Sequence, residues 1–138
     1  VYWLEMRPKE KERVVLVKRT GRGRTADVTP EGLNVRTRVH EYGGGAFLVD
    51  GERVYFSNFA DQRLYRQVGR GGPEPLSPAT DVRFADCIVD RERGRLIFIS
   101  EDHTTGAEYP VNTISTMPVD GGAIEALAKA EREPGEEG

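Results

Sequence analysis

One stretch of the sequence, "RTRVHEYGGG" at 36–45, combines residue types that are common in active sites. It contains an imidazole beside a carboxylate, His40 and Glu41, a pair that can transfer protons or bind metals. Three consecutive glycines follow, and runs of glycine can cradle a phosphate: Gly43, Gly44 and Gly45. The stretch therefore raises three possibilities, which are a catalytic loop, a phosphate site and a backbone hinge.

The phosphate and zinc interpretations lack their remaining parts. A phosphate-binding loop of the P-loop type ends in Gly-Lys-Ser/Thr and opens a helix, whereas the residues after the glycines, "AFLV" at 46–49, are β-prone. A zinc-protease site needs a second histidine four residues from His40, and that position is a glycine. We interpret the glycines as structural, at a sharp turn into a crowded strand where a Cβ would clash.

The serines carry no sign of nucleophilic catalysis. Ser57, Ser77, Ser100 and Ser115 all lie outside a Gly-x-Ser-x-Gly nucleophile elbow, which the sequence lacks. No catalytic residue is predicted, so the chain on its own is expected to be inactive.

Composition excludes several other classes of protein. The net charge of −3 gives no basic field for nucleic acid, and the single cysteine, Cys87, excludes an internal disulfide framework and a cysteine-rich zinc site. No apolar run is long enough to cross a membrane. We predict no metal, no cofactor, no nucleic-acid partner and no membrane partner, and a cytoplasmic location.

Short β-prone runs separated by Asp- and Gly-containing turns dominate the chain, and no helical period appears before residue 123. The runs repeat: "FLVDGERVYFS" at 47–57 aligns with "CIVDRERGRLIFI" at 87–99, with Asp50 on Asp90. Each unit ends in a short outer segment, at 27–30, 74–78 and 125–128, and spans about 40 to 50 residues, as propeller blades do.

The predicted fold is all-β: a partial β-propeller of two to three antiparallel four-stranded blades, of which the first starts at its second strand. The blade portions are about 1–30, 43–78 and 84–128, and 129–138 is a charged tail, helical or disordered. The alternative is a β-sandwich, because regular short strands also suit that fold.

Alternating strand directions predict one polar edge. The return segment between units and the loops from second to third strands should lie on the same side of the sheets, opposite Asp50 and Arg91. The candidate residues for contact with a substrate or another domain are His40, Glu41, Asn58, Asp61, Glu101, Asp102 and His103. This carboxylate-rich edge could receive a cationic group or hold its residues together structurally.

The motifs "NVRTRVHEYGGGAFLV", "VYFSNFADQRLYRQ" and "RGRLIFISEDH" resemble the N-terminal propeller of the prolyl oligopeptidase family of serine peptidases. The branch resembled is that of the acylaminoacyl-peptidase and dipeptidyl aminopeptidase-like enzymes, and the resemblance covers residues 1 to about 128. It implies a propeller of about seven blades over an α/β-hydrolase domain with Ser, Asp and His, where the propeller admits short peptides and excludes folded proteins.

Two functions stay open at this level. The first is the non-catalytic propeller portion of a cytoplasmic serine exopeptidase, which gates and orients short peptides for the α/β-hydrolase domain of the same parent chain. The second is a stand-alone propeller-type binding module without enzymatic activity. A third, an independent hydrolase or metal enzyme, lacks every expected motif.

Overall fold

A computed structural model of the chain describes residues 1–39, 45–104 and 112–129. In that part the chain forms eleven strands and one short 3-10 turn, Pro8–Glu10. The strands are β1 (Tyr2–Arg7), β2 (Arg13–Arg19), β3 (Thr25–Asp27), β4 (Phe47–Asp50), β5 (Arg53–Ser57), β6 (Leu64–Val68), β7 (Glu74–Pro75), β8 (Val82–Asp90), β9 (Arg95–Asp102), β10 (Asn112–Pro118) and β11 (Glu125–Lys129).

The strands form three antiparallel sheets in chain order: a first sheet β1-β2-β3, a middle sheet β4-β5-β6-β7 and a last sheet β8-β9-β10-β11. The prediction of a partial propeller is confirmed, with a first blade that lacks the innermost strand of the other two. The alternative of a β-sandwich does not fit, because the strands form three separate sheets, each of which pairs only consecutive strands.

Two boundaries differ from the expected ones. The outer segment of the first sheet is β3 at Thr25–Asp27 rather than 27–30, because Lys18 and Arg19 pair with Ala26 and Thr25 directly across the turn. The last sheet continues to Lys129, one residue into the predicted tail, and 130–138 lie outside the described residues.

The middle sheet is buried on both faces, and β5 shows why its sequence is continuously apolar. Successive side chains of a strand point to opposite faces. Tyr55 accordingly packs with Phe84 and Phe98 against the last sheet, while Val54 and Phe56 pack toward the first sheet. Burial on both sides removes the usual alternation of apolar and polar residues, and it makes "VYF" a two-sided core strand.

Aromatic rings fill both spaces between the sheets. Phe84 and Phe98 of the last sheet meet edge to face, with ring centroids 5.3 Å apart. On the other face of the middle sheet, Phe56 stacks on Tyr65 with centroids 5.7 Å apart. Both geometries are favourable arrangements of the ring quadrupoles and add to the burial of apolar area.

Gly45 clamps the middle sheet to the last sheet at the point where the chain enters β4. Gly45 N donates to Asp86 Oδ1 (2.6 Å) and Asp86 N donates to Gly45 O (2.9 Å). Asp86 has a φ of +57° and lies in the β-bulge of β8 between Ala85 and Ile88. A Cβ on Gly45 would lie 2.9 Å from Asp86 Oδ1, so the close approach of this carboxylate requires glycine here.

The opposite side of the sheets is held by charged side chains. Arg91 Nη2 contacts Asp50 Oδ1 (2.6 Å), which joins the turn after β4 to the turn after β8. Arg66 of β6 donates to Asp120 Oδ1 (2.8 Å) and to Val119 O (3.1 Å) of the last sheet. We call this side the turn edge, and the side that carries the 58–63 loop and the end of β9 the loop edge.

The two outward faces of the described sheets differ in character. On the first sheet, Arg7 of β1 makes a bidentate hydrogen bond to Asp27 of β3, at 2.8 and 3.2 Å. This bond crosses β2, whose Val15 and Val17 lie on the same face and are buried. On the last sheet the outward row is apolar: Ile88 and Ile114 are 56% and 43% exposed. Ile114 aligns with Leu64, which the last sheet covers in the middle sheet.

We expect Gly45→Ala to lower the free energy of unfolding by about 1–3 kcal/mol, because the new methyl group must displace a hydrogen-bonded carboxylate. Urea denaturation of both proteins measures the difference. Gly72→Ala is the matched control, since an added Cβ there meets no atom within 4 Å. Equal effects of the two substitutions would contradict the clamp.

We expect the chain to self-associate through the outward face of the last sheet, because exposed contiguous apolar residues drive association. Ile88→Glu combined with Ile114→Glu should weaken association by about tenfold or more, as burial of each isoleucine is worth about 1.5–3 kcal/mol. Sedimentation velocity over a concentration series measures it. Val68→Glu, at a 44% exposed position of the middle sheet, is the control and should leave association unchanged.

Candidate functional site

The return segment between the first and middle sheets crosses the loop edge as an extended chain. Asn34 O accepts from Phe59 N (2.8 Å), Arg36 N donates to Ser57 O (3.1 Å), and Arg38 N donates to Gln62 Oε1 (3.0 Å). The segment also bonds the first sheet, since Val35 N donates to Val14 O (2.9 Å). Its buried residues alternate with exposed ones, as in a strand, so the segment has an inward side and a solvent side.

Asn58 and Asp61 hold the 58–63 loop together. Asn58 is 4% exposed, and its Oδ1 accepts from Asn34 N (2.8 Å) while its Nδ2 donates to Asp61 Oδ1 (3.1 Å). Asp61 also accepts from Arg63 N (3.1 Å) and from the hydroxyl of Tyr65 (2.6 Å). Burial, together with this bond to Asp61, raises the pKa of the Tyr65 phenol.

Glu101 and Asp102 end β9 at the same edge, and His103 follows directly. His103 Nε2 lies 2.5 Å from Glu101 Oε1, and His103 N donates to Asp81 O (2.8 Å). Asp102 Oδ1 accepts from the hydroxyl of Thr104 (2.6 Å) and from Thr104 N (2.8 Å). These hydrogen bonds hold the pKa of the Asp102 carboxyl below its usual range.

The structure therefore places Asn58, Asp61, Glu101, Asp102 and His103 at the loop edge, and Asp50 and Arg91 at the turn edge. The loop-edge residues form two separate hydrogen-bonded groups. Asn58 and Asp61 belong to the group on the middle sheet, and Glu101, Asp102 and His103 belong to the group on the last sheet. His40, Glu41, Gly43 and Gly44 lie outside the described residues. A role of these side chains in contacting a substrate or another domain stays a prediction.

The arrangement of the four serines is structural. Ser57 Oγ donates to Phe84 O (2.9 Å), Ser77 Oγ accepts from Leu64 N (2.8 Å), and the hydroxyls of Ser100 and Ser115 bond each other (2.8 Å). All four are buried. None of these hydroxyls bonds an imidazole within 1–39, 45–104 and 112–129, so this part of the chain holds no activated serine nucleophile.

The described residues contain neither a metal-binding cluster nor a reactive thiol. No three His, Cys, Asp or Glu side chains of this part converge in a way that would bind a metal ion. Burial raises the pKa of the Cys87 thiol to about 12, so this cysteine is inert at neutral pH. None of the helical segments that the structure describes could span a lipid bilayer.

Sequence reasoning did not single out Arg36, Arg38 and Phe59. Both guanidinium groups lie over the Phe59 ring, at 4.9 Å and 4.3 Å from its centroid. The available signal was the alternation in "RTR", which puts two arginines on one side of an extended segment. That they share an aromatic ring from another loop depends on the tertiary structure.

Solved structures of a puromycin hydrolase are similar to this chain. A mutant complexed with PGG matches with a TM-score of 0.82 and 30% identity, over 93% of this chain and 22% of that chain. A second structure of puromycin hydrolase matches with a TM-score of 0.81 and 31% identity, over the same shares. This chain thus spans about a fifth of the length of either neighbour.

A nidogen/laminin complex also matches, with a TM-score of 0.64 and 16% identity, over 93% of this chain and 43% of that chain. At this identity the likeness concerns the fold alone. No family model and no curated protein matches the chain.

The fold and these matches define the chain as a segment of a β-propeller. More specifically, it is a propeller segment of the prolyl oligopeptidase family, and the resemblance read from its sequence motifs is confirmed.

We expect Thr104→Val to raise the pKa of Asp102 toward the ordinary value of about 3.9, because the substitution removes the hydroxyl donor. A carboxyl-carbon NMR titration measures the shift. A lowered folded pKa means that the carboxylate stabilises the fold above pH 4 or so, and that this contribution is lost as the pH falls through the folded value.

Thr80→Val is the control, because Thr80 is exposed and its hydroxyl makes no hydrogen bond in the described part of the chain. An unchanged Asp102 pKa in Thr104→Val would contradict the assignment of the shift to this contact.

Proposed function

We propose that this chain is the non-catalytic propeller portion of a cytoplasmic serine exopeptidase that acts on short peptides. In this proposal it gates and orients substrates for an α/β-hydrolase domain of the same parent chain. The observation that carries the proposal is the match to puromycin hydrolase, at 30–31% identity over 93% of this chain. The sequence motifs favour the acylaminoacyl-peptidase and dipeptidyl aminopeptidase-like branch.

A gate must be rigid, and the contacts of the loop edge support this role. The return segment bonds to both the first and the middle sheet, and Asn58 and Asp61 have their polar atoms tied to neighbouring residues. Loops that are fixed in this way keep a constant opening, so exclusion would depend on the size of the substrate. A folded protein would be too large to enter this opening, whereas a short extended peptide would enter it.

Orientation of the substrate needs polar groups at the same edge. We assign the loop edge, rather than the turn edge, to face the hydrolase domain. At the turn edge two ion pairs between the sheets, Arg66–Asp120 and Arg91–Asp50, engage charged groups that could otherwise contact another domain. The loop edge keeps exposed polar side chains beside the bonded ones. His40 and Glu41, which follow the return segment, belong to this proposed surface.

Chemistry would belong to the other domain. Acyl transfer needs a nucleophile with an adjacent base and donors for the oxyanion, and the described serines are buried in bonds to the backbone or to each other. The free, half-buried Cys87 thiol suits a cytoplasmic location. The second candidate is a stand-alone binding module, which the exposed apolar face of the last sheet does not favour.

We expect the 138-residue chain to show no turnover of N-acylated or free-amine chromogenic peptides, and no labelling by a serine-directed fluorophosphonate probe. The natural gene product that extends these residues should be active and labelled. Replacement of its elbow serine by alanine is the matched control and should abolish both signals.

Labelling of the 138-residue chain itself would contradict a non-catalytic role. An extended gene product that contains no Gly-x-Ser-x-Gly segment would favour the binding module instead.

A further inference from the structure

Two arginines of the return segment converge on the solvent side of the loop edge. Arg36 and Arg38 are exposed, whereas the residues that alternate with them, Val35, Thr37 and Val39, are buried. Thr37 points inward, since its hydroxyl donates to Phe84 O (2.6 Å). The two guanidinium groups therefore point away from the sheets, and both lie over Phe59.

The position of this pair is fixed by the backbone. Arg36 N donates to Ser57 O, and Arg38 N donates to the Gln62 side chain, on either side of Phe59 in the same loop. Gln62 is itself held, because its Nε2 donates to Phe59 O (2.7 Å). A ligand that binds here meets arginines whose backbone and ring support are already ordered, so less conformational entropy is lost on binding.

The described carboxylates at this edge do not neutralise the two arginines. Asp61 accepts three hydrogen bonds from Asn58, Arg63 and Tyr65, and Asp102 and Glu101 are bonded to Thr104 and His103. No ion pair of Arg36 or Arg38 occurs within 1–39, 45–104 and 112–129. The ring orients the guanidinium groups through its quadrupole but leaves both positive charges in place.

We propose that Arg36, Arg38 and Phe59 form a carboxylate-binding site that receives the free C-terminal carboxylate of a short peptide. Each planar guanidinium group presents paired N–H donors that match the two oxygens of a carboxylate. The inference rests on the proposed function for the identity of the ligand as a peptide. It reverses the charge expected from the acidic residues of this edge, because Asp61, Glu101 and Asp102 are hydrogen-bonded, whereas neither arginine forms an ion pair with a residue that the structure describes.

The test is an NMR titration of the 138-residue chain with N-acetyl-Ala-Ala as the free acid, as its C-terminal amide, and with inorganic phosphate. The free acid should shift the side-chain Nε–Hε signals of Arg36 and Arg38, and bind about tenfold or more tightly than the amide. Arg36→Gln combined with Arg38→Gln should remove this preference. Arg24→Gln, an exposed arginine in the turn before β3, is the matched control and should retain it.

The backbone amide spectrum shows whether each variant keeps its fold. A second variant, Arg36→Lys with Arg38→Lys, keeps both charges without the planar groups and should bind the acid with intermediate affinity.

Equal binding of acid and amide would overturn the proposal, as would equal losses in the glutamine variant and the Arg24 control. Tighter binding of phosphate than of the peptide acid would overturn the assignment to a carboxylate. The peptide acid could fail to bind while the extended gene product still cleaves peptides. This result would contradict the carboxylate site but not the proposed function.

Discussion

Burial of the middle sheet on both faces is the constraint on which the rest of this structure depends. Strand β5 alternates Tyr55 and Phe56 between two different cores, so neither face of the sheet is left for solvent. A sheet of this kind is stable only when a neighbour covers each side. Polar contacts between the middle and last sheets set the orientation of one sheet relative to the other. These contacts join Gly45 to Asp86 and Arg66 to Asp120.

The polar groups of the loop edge follow from the same constraint. Where strands end against buried faces, backbone groups lose water and need other partners. Side chains supply them: Thr37 and Ser57 both donate to Phe84 O, and Asn58 caps the backbone of Asn34. Much of the polar composition that suggests a site is therefore structural. What is left over at this edge, in the described residues, is the positive pair over Phe59.

The comparisons and the geometry agree on the kind of protein. Two solved structures of puromycin hydrolase share about three residues in ten with this chain, over nearly all of it. The four serines that the sequence offers are buried and hydrogen-bonded between and within these sheets. The apolar outward face of the last sheet repeats, at Ile114, the position that Leu64 occupies in the covered middle sheet. The outward face of the last sheet therefore has the apolar character of a sheet face that is covered elsewhere in the structure.

The amino-acid sequence by itself determined the class of fold, because it depends on local patterns. The repeat that aligns Asp50 with Asp90, and the Asp- and Gly-containing turns, were sufficient to predict successive four-stranded sheets. The edge at which Asn58, Asp61 and His103 lie also followed from the alternation of strand direction. These are properties of neighbouring residues, and they need no knowledge of how one sheet packs on another.

Only the tertiary structure decided which of these side chains remain available. The carboxylates of Asp61 and Asp102 accept hydrogen bonds from Tyr65 and Thr104. Position 45 requires glycine because Asp86 of another sheet approaches it closely. Arg36 and Arg38 gained their significance from Phe59, which is about twenty positions away in the sequence. Hydrogen bonds and ring contacts act over a few ångströms and between sheets, so the order of residues along one chain does not reveal them.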